Sequence, residues 1–358
     1  MFSCRSYDLT KWGQPFEEAI HELPRLKDRE VLIRITASGL CHSDLHIKKG
    51  FMDLGEKGKL TFTERGATLP LTLGHEIAGE VEAIGPSAKI QLGENVLVFP
   101  WIGCRHCLPC FEDRESDCTS MRILGIHRNG GFAIHVVIED EKFLINIDGL
   151  DPVKVAPYSC SGLTVFNALS KIGTLRDGQW LAILGAGGLG LNAVAIAKAL
   201  GYQHIVAIDI DDAKLEAGKQ MGASKVLNAQ AVDAVEQLKA LTDNQLFGVV
   251  DTFGSEQTGA LAVAAMTKSG AYVVVGQHGG DFKMPQIWLP QKAMTVRGSH
   301  VGNSPQLAEL IKMYREGKLQ DIPIETRPLS AVNEAIEDLH AGRVTGRIVF
   351  VPDTVSAD

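Results

Sequence analysis

Four cysteines lie close together in the first half of the chain. They form a C-x2-C-x2-C-x7-C run made of Cys104, Cys107, Cys110 and Cys118. Four thiolates at this spacing can surround Zn(II) tetrahedrally and leave no open position, as a structural zinc site requires. The alternatives are a disulfide pair or a small zinc ribbon that binds nucleic acid. We interpret the run as a structural zinc lobe spanning about residues 101–120.

Two earlier segments offer ligands for a second metal ion. They are Gly39-Leu40-Cys41-His42-Ser43-Asp44-Leu45-His46 and Gly74-His75-Glu76. Cys41 and His75 are the candidate ligands, since a thiolate and an imidazole both bind zinc well. A site with fewer protein ligands keeps a position open for water or substrate, which is the mark of a catalytic zinc.

The pattern of predicted elements changes twice along the chain. Residues 1 to about 150 indicate short strands separated by glycine and proline. From about 155 to 297 strands and helices alternate, beginning with a strand over Trp180–Leu184 and a helix over Leu189–Leu200. This alternation predicts a parallel sheet with helices on both faces. The remainder returns to mixed structure, with helices near Ser304–Glu316 and Ala331–His340 and a strand over Arg347–Val351.

A glycine-rich turn joins the first strand and helix of the alternating region. Its sequence is Gly185-Ala186-Gly187-Gly188-Leu189-Gly190. In a strand-to-helix context this is a dinucleotide fingerprint. Gly185 allows the tight turn, Gly187 lets the backbone approach a pyrophosphate, and Gly190 lets the helix pack on the sheet. The free N–H groups of the helix N-terminus complete the anion site.

Asp209 ends the next predicted strand, 19 residues after Gly190. At that position a carboxylate accepts hydrogen bonds from the adenosine ribose and repels a 2′-phosphate, so we predict NAD rather than NADP. The alternative for Asp209 is an ordinary turn residue at a strand end. Asp211 and Asp212 are predicted to cap the following helix and to occupy its first turn.

Composition restricts the class of protein. The chain has 358 residues, 45% of them hydrophobic and 22% charged, and a formal net charge of −8. This acidity, without a basic cluster around the cysteine run, argues against nucleic acid as a partner. We find neither an apolar stretch long enough for a membrane span nor a signal peptide, and therefore expect a cytoplasmic protein. Clustered cysteines in a reducing compartment indicate metal binding.

Taken in order, these motifs resemble the zinc-dependent alcohol dehydrogenases of the medium-chain dehydrogenase/reductase superfamily. The resemblance spans essentially the whole chain and is strongest to the prokaryotic, often tetrameric branch, on Phe99-Pro100-Trp101 and Gly298-Ser299-His300-Val301-Gly302-Asn303. It implies an α/β fold in which a Rossmann doubly wound parallel sheet is inserted in a GroES-like β-barrel catalytic domain. We expect the catalytic domain at residues 1–155 and 298–358, and the NAD-binding Rossmann domain at 156–297.

The resemblance also implies two zinc ions per chain. Cys160, which the residues alone indicate only as a buried thiol, becomes the third ligand of a catalytic zinc with Cys41 and His75. Glu76 matches a carboxylate that approaches this zinc when water or substrate leaves, or else accepts hydrogen bonds beside it. Asp44 would hold the ring of His75 in the tautomer that binds the metal.

The implied chemistry is hydride transfer from a zinc-bound alkoxide to NAD, and the reverse carbonyl reduction. Ser43 would accept the alcohol proton and His46 would pass it to solvent, although an isolated histidine there is more often a surface residue. His42 is implied to contact the cofactor pyrophosphate. Arg347 would do the same or be a solvated arginine at a strand end.

The substrate is implied only as a small molecule, a primary or secondary alcohol or the corresponding aldehyde or ketone. Trp101 resembles a pocket-lining aromatic residue, which would suit medium-sized or aromatic alcohols, or is a core tryptophan. Residues 51–69 could border the substrate channel. No cluster of arginines that would bind phosphate or carboxylate is evident. The alternatives are a polyol or threonine dehydrogenase of the same superfamily, against which Cys160 argues, and a non-catalytic nucleotide-binding relative. A homo-oligomer, tetramer or dimer, is expected by resemblance.

Overall fold

The computed structural model describes residues 3–353, and its N-terminal part is rich in β-structure. The strands of this part are β1 Ser3–Leu9, β2 Glu17–Glu22, β3 Val31–Gly39, β4 Phe51–Asp53, β5 Lys59–Thr61, β6 Leu71–Thr72, β7 Glu76–Ile84, β8 Asn95–Val98, β9 His135–Ile138 and β10 Leu144–Asn146. Three helices accompany them, α1 His42–Lys49, α2 Leu108–Phe111 and α3 Pro152–Val155. Most strands are short because turn residues interrupt the apolar runs.

The longest strands of this part form its centre. β3 pairs antiparallel with β7, and its residues are mostly buried because both of its faces are covered. Such a strand has a nearly continuous apolar sequence. β3 ends at Gly39 and delivers the chain directly to the Cys41 segment.

The second part of the chain alternates between strands and helices. After helix α4 Ser161–Ile172 it contains β11 Trp180–Leu184, α5 Gly188–Ala199, β12 His204–Asp209, α6 Asp212–Gln220, β13 Lys225–Asn228, α7 Ala234–Leu241, β14 Leu246–Asp251, α8 Glu256–Ala265, β15 Ala271–Val274, α9 Trp288–Lys292 and β16 Thr295–Gly298. These strands pair in parallel in the order β13-β12-β11-β14-β15-β16. The predicted Rossmann-type parallel sheet is confirmed.

Side chains of β11 alternate between two cores because successive residues of a strand point to opposite faces. Leu181 and Ile183 belong to the core that includes residues of α4 and α5, such as Leu191. Trp180 and Leu184 belong to a second core formed with residues of α7 and α8. The sheet is therefore covered on both faces, as a parallel sheet requires.

The C-terminal elements return to the first part of the fold. They are α10 Ser304–Arg315, β17 Ile324–Pro328, α11 Val332–His340 and β18 Arg347–Val351. β18 pairs antiparallel with β3 and in parallel with β17, so strands from both ends of the chain share one sheet. Residues 1, 2 and 354–358, which the predicted catalytic domain includes, lie outside the described residues.

Candidate active site

A cavity of about 1570 Å³ lies between the β-rich part and the parallel sheet. Cys41, Ser43 and His75 line it from the β-rich side, and Gly187 and Asp209 line it from the sheet. β11 is the point where the strand order of the parallel sheet reverses. Ligands of open α/β sheets bind in the crevice at the carboxyl ends of the strands beside such a point.

Cys41, His75 and Cys160 come together at the bottom of this cavity from three separate segments. Cys41 precedes α1, His75 directly precedes β7, and Cys160 precedes α4. All three are buried, and their ligand atoms lie within 4.8 Å of one another. The Sγ atoms of Cys41 and Cys160 are 3.9 Å apart. Two thiolates on one tetrahedral Zn(II) would be separated by about 3.8 Å, so the geometry suits zinc.

The imidazole of His75 supports the same assignment. Among the described residues its buried ring nitrogens have no hydrogen-bond partner, and Nδ1 lies 3.5 Å from Asp44 Oδ1. A buried polar nitrogen without a partner is costly. A metal ion bound by the two neighbouring thiols would be a partner for this imidazole. Nε2 therefore suits the metal, and the Asp44 carboxylate lies on the side of the other ring nitrogen, Nδ1.

Asp44 organises the site through the backbone as well. Its carboxylate accepts hydrogen bonds from the N–H groups of Cys41 at 2.9 Å and Gly74 at 3.3 Å. It is fully buried, so these contacts replace its hydration. One side chain thus fixes the two segments that carry Cys41 and His75. The thiol of Cys160, followed by the charge of Arg347, holds the pKa of Cys41 well below its ordinary value.

Glu76 lies beside the three-ligand cluster and pairs with Arg347. Its Oε1 is 2.9 Å from the guanidinium Nη2 and accepts a weaker hydrogen bond from Ser161 N–H at 3.3 Å. Burial raises the pKa of Glu76 to about 8, against the opposing charge of Arg347. The carboxylate is thus one residue from a ligand but is held by an arginine in this structure.

The alternative interpretation of Arg347 as a solvated arginine is wrong. Only 4% of the residue is exposed, because β18 lies inside the shared sheet beside β3. Its Nη1 donates to the carbonyl of Leu40 at 3.3 Å. Its side chain also reaches the cavity, where a Cβ added to Gly188 would contact it. Contact with a cofactor phosphate stays a prediction.

Ser43 and His46 lie three residues apart in α1, a spacing that places side chains on one face of a helix. Both line the cavity, and Ser43 Oγ lies 3.7 Å from Cys41 Sγ. Burial is the main cause that lowers the pKa of His46, and the charges of Lys49 and His278 act in the same direction. A neutral imidazole at physiological pH can accept a proton.

The glycine-rich turn has the geometry that its residues predict. Gly185 has a φ of +89°, which a residue with a side chain rarely adopts. A Cβ on Gly190 would collide with the carbonyl oxygen of Gly185, whereas one on Gly187 would meet nothing within 4 Å. The contact at Gly190 is therefore internal packing. Gly187 faces open space, where a pyrophosphate could approach the N-terminus of α5.

Asp209 lies at the end of β12 and lines the cavity. Its carboxylate accepts hydrogen bonds from Ala186 N–H at 2.6 Å and Ile210 N–H at 2.8 Å, which fix it beside the glycine turn. Asp211 caps α6 by accepting from Ala213 and Lys214 N–H, as predicted. His42 and Leu189 also line the cavity, as the predicted cofactor contacts require.

The four-cysteine run folds into a separate cluster whose Sγ atoms lie within 4.8 Å of one another. The Sγ atoms of Cys107 and Cys110 are 3.4 Å apart, and those of Cys104 and Cys110 are 4.0 Å apart. The N–H groups of Cys104 and Ser120 point to Cys118 Sγ at 3.3 and 3.4 Å. Four thiols and N–H donors directed at sulfur suit a closed zinc site.

Trp101 is both a core residue and a wall of the cavity. It is 5% exposed, and its indole N–H donates to the carbonyl of Ser159 at 3.1 Å. Its ring packs against His75 at 5.5 Å and His300 at 6.0 Å between centroids. The two interpretations of Trp101 therefore apply together.

Three residues that the sequence analysis did not assign also line the cavity. Phe253 stacks on His278 with ring centroids 4.3 Å apart, and Arg65 lies in the segment 51–69. These residues carry no motif of their own. Phe253 and His278 could have been indicated only by their positions after the ends of β14 and β15, and Arg65 only by its place in the predicted channel-bordering segment.

None of the helices within residues 3–353 combines the length and the apolar character that a membrane span needs.

Two family models match the chain. Residues 27–149 match the alcohol dehydrogenase GroES-like domain, and residues 188–316 match the zinc-binding dehydrogenase family. Among curated relatives, an NAD-dependent alcohol dehydrogenase of Sulfurisphaera tokodaii is 35% identical, covering 97% of this chain and 100% of its own. An alcohol dehydrogenase of Geobacillus stearothermophilus is 32% identical, covering 96% and 98%.

Solved structures agree with these relatives. The alcohol dehydrogenase of Aeropyrum pernix has a TM-score of 0.89 at 29% identity and covers 97% of this chain and 100% of its own. The predicted fold class, a Rossmann sheet combined with a GroES-like domain, is confirmed. Zinc and NAD, the predicted cofactors, are those of the family that these matches identify. The chain belongs to the zinc-dependent alcohol dehydrogenases of the medium-chain dehydrogenase/reductase superfamily.

Proposed function

We propose that this protein oxidises alcohols to aldehydes or ketones with NAD and catalyses the reverse carbonyl reduction. The observation that carries the proposal is that Cys41, His75 and Cys160 face the same cavity as Gly187 and Asp209. A metal that activates an alcohol oxygen and a cofactor that takes a hydride must meet within one enclosed space for this reaction.

We propose Cys41, His75 and Cys160 as the ligands of the catalytic zinc, and Cys104, Cys107, Cys110 and Cys118 as those of the structural zinc. Zinc(II), when bound, acts as a Lewis acid that lowers the pKa of an alcohol. NAD supplies the hydride acceptor. Asp44 orients the ring of His75, and Trp101 forms a rigid wall beside it.

The chain's own residues manage the proton. Ser43 Oγ, near the metal ligands, accepts the proton that the alcohol loses, and His46 on the same face of α1 transfers it toward solvent. The lowered pKa of His46 keeps the imidazole able to accept it at neutral pH. Gly185 to Gly190 and His42 hold the pyrophosphate, Arg347 supports it, and Asp209 binds the adenosine ribose.

The test is NADH formation, followed by absorbance, with a panel of primary, secondary and polyhydroxy alcohols and threonine. The proposal expects turnover of simple alcohols with NAD and much less with NADP. Preferred turnover of polyols or threonine would replace it with the related dehydrogenase activities. NADH binding without turnover of any compound would identify a non-catalytic nucleotide-binding protein.

We also propose the division into a catalytic domain, residues 1–155 and 298–358, and an NAD-binding domain, residues 156–297. The six strands of the parallel sheet, β11 to β16, follow one another between Trp180 and Gly298, which supports this division. We propose a cytoplasmic location, which cysteines clustered as metal ligands rather than paired in disulfides support. Limited proteolysis and cell fractionation test the two proposals.

Self-association into a homo-oligomer is proposed as well. All residues of β16 are exposed, and within the described residues this strand pairs only with β15. Ile287, which is 59% exposed, and Val296 add apolar surface nearby. An unpaired strand edge with apolar neighbours is a surface that proteins usually cover. Light scattering after size exclusion should give a multiple of the 38.6 kDa chain mass.

A further inference from the structure

Arg65 is a cation in the cavity wall without an acidic partner. It is half-buried, and within residues 3–353 it makes no ion pair. The contacts of its guanidinium are the thioether of Met52, whose Sδ is 3.0 Å from Nη1, and the ring of Phe62, 5.2 Å from Cζ. Burial lowers the pKa of Arg65, with no opposing contribution from a carboxylate. A guanidinium that has lost water without gaining an anion is unusual in a finished structure.

The acids that line the cavity are engaged elsewhere. Asp53 accepts a hydrogen bond from Gly55 N–H at 2.9 Å, Glu337 pairs with Lys48 at 3.3 Å, and Asp209 is bound to the glycine turn. Glu64, the neighbour of Arg65 in sequence, accepts from the N–H and hydroxyl of Thr61 at 2.8 and 2.7 Å. The charge of Arg65 is thus available to a ligand in the cavity.

The turn that carries Arg65 is fixed to the floor of the active site. His127 bonds through Nε2 to the carbonyl of Arg65 at 2.9 Å and through Nδ1 to Ile123 N–H at 3.1 Å. In the same segment Gly125 lies directly against Gly74, the residue before His75. The backbone of Arg65 is therefore held at a defined place relative to the metal ligands, and the contacts with Met52 and Phe62 position its guanidinium.

The wall between these two points is apolar. Phe62, Ile123, Ile126 and Trp101 line the cavity together with Arg65. His300, which packs on Trp101, lines the same cavity, and its pKa is lowered mainly by burial and next by the charge of Arg65, so the neutral imidazole and the guanidinium face the same space. A ligand that fits this arrangement has a hydroxyl at the metal, an apolar spacer and an anionic group at the far end.

We propose that Arg65 binds the carboxylate of the substrate, so that the preferred substrates are hydroxy acids with an apolar spacer and the corresponding oxo acids. This proposal rests on the proposed function. A planar guanidinium suits a carboxylate, which it binds through two parallel hydrogen bonds. The chemistry is unchanged: the carbinol carbon gives a hydride to NAD, the hydroxyl proton leaves through Ser43 and His46, and the carboxylate is retained.

The experiment compares straight-chain ω-hydroxy acids of four to six carbons with primary alcohols of the same chain length. The zinc-loaded wild type, Arg65→Met and Arg65→Lys are assayed with NAD. Arg176→Met is the control, because Arg176 is exposed and does not line the cavity. We expect at least one hydroxy acid to exceed its matched alcohol in kcat/KM. Arg65→Met should lower this value by about 10- to 100-fold, mainly through KM, with the alcohol changed less than about twofold.

Arg65→Lys should lose part of the preference, because lysine keeps the charge but not the planar pair of donors. Equal losses for acid and alcohol in Arg65→Met, or no hydroxy acid favoured by the wild type, would overturn the assignment. If the wild type and every variant still oxidise the simple alcohols, the proposed function stands, and such an outcome overturns only the role of Arg65. If no compound turns over, calorimetric binding of ω-hydroxypentanoate to the zinc-loaded protein with NAD decides. Equal affinity in wild type and Arg65→Met would then refute the role.

Discussion

At the scale of single residues, side chains that are neighbours in sequence have different partners. Cys41, Ser43 and His46 line the cavity. The side chain of Asp44, which lies within the same segment, is instead buried against the backbone of the segments that carry Cys41 and His75. A helix rotates successive residues by about 100°, so one short segment can supply a ligand, its support and a proton path. Substitutions a few residues apart should therefore have distinct effects.

His46→Gln should retain both zinc ions and NADH binding but slow alcohol oxidation. The imidazole is the acceptor only when neutral, so its contribution is present above its lowered pKa and is lost as the pH falls through it. A positioned proton acceptor contributes roughly 100- to 10,000-fold in general, and water can replace the end of a chain, so we expect the low end or less. The defect should be most visible above that pKa and should shrink as the pH falls through it.

The measurement is the pH profile of kcat/KM for alcohol oxidation, with and without added buffer base. Added base should partly restore the rate of the variant. His204→Gln, on β12 and outside the cavity lining, is the control. A variant profile that overlays the wild type, or the loss of a zinc ion, would return His46 to an ordinary surface histidine.

Asp209→Gly combined with Ile210→Arg should shift preference from NAD toward NADP. The carboxylate repels a 2′-phosphate, and Ile210, which is 61% exposed, can be replaced by a cation without disturbing the core. The ratio of kcat/KM for the two cofactors measures the shift. Asp212→Asn, in the first turn of α6, should leave this ratio unchanged. A wild type that prefers NADP would contradict the role of Asp209.

At the scale of elements, two glycines of one turn should separate packing from binding. Gly190→Ala places a methyl group against the carbonyl of Gly185 and should destabilise the fold by about 1–3 kcal/mol. Gly187→Ala meets nothing within 4 Å, so stability should be nearly unchanged while NADH affinity falls. Thermal unfolding and NADH fluorescence titration distinguish them. Equal stability losses in both variants would show that Gly187 serves packing instead.

The two cysteine clusters should differ in what they contribute to the protein. Cys41→Ala should lose about one zinc ion and nearly all turnover while the fold survives, because its cluster lies at the bottom of a cavity. Cys107→Ala should also lose one zinc ion but lower stability, since metal binding orders the lobe. Elemental analysis and thermal unfolding measure both effects. Cys4→Ala is the control and should keep two zinc ions; a wild type with one or none would refute the two sites.

At the scale of the whole molecule, a buried ion pair joins the two ends of the chain at the active site. Glu76 and Arg347 are separated by 271 residues, and both are almost completely buried. Removing one partner of a buried pair leaves an uncompensated charge at a cost of about 3–5 kcal/mol. We expect that loss for Glu76→Leu. The double variant Glu76→Leu with Arg347→Met should recover part of it.

A double-mutant cycle of unfolding free energies, with Arg34→Met and its exposed partner Glu80 as a control pair, measures the coupling. The surface pair should couple by less than about 1 kcal/mol. Additive effects of Glu76→Leu and Arg347→Met would show that the buried pair does not stabilise the chain.

Local pattern was sufficient for what depends on near neighbours in sequence. The cysteine run, the turn from Gly185 to Gly190 and the cap at Asp211 were predicted from the residues, because spacing along a strand or helix dictates which groups point together. The alternation after residue 155 likewise predicted the parallel sheet, since βαβ units bury their strands in one characteristic way. Family resemblance added Cys160, whose role no local pattern indicates.

Tertiary structure alone decided the contacts between distant segments. Cys160 meets Cys41 across 119 residues. Arg347 is buried against Glu76 and not solvated, because β18 enters the sheet beside β3. The unpaired charge of Arg65 became visible only once the walls of the cavity were in place. The burial and the partners of a side chain depend on which surfaces pack together. The whole core determines this packing, and the pattern of near neighbours in sequence does not specify it.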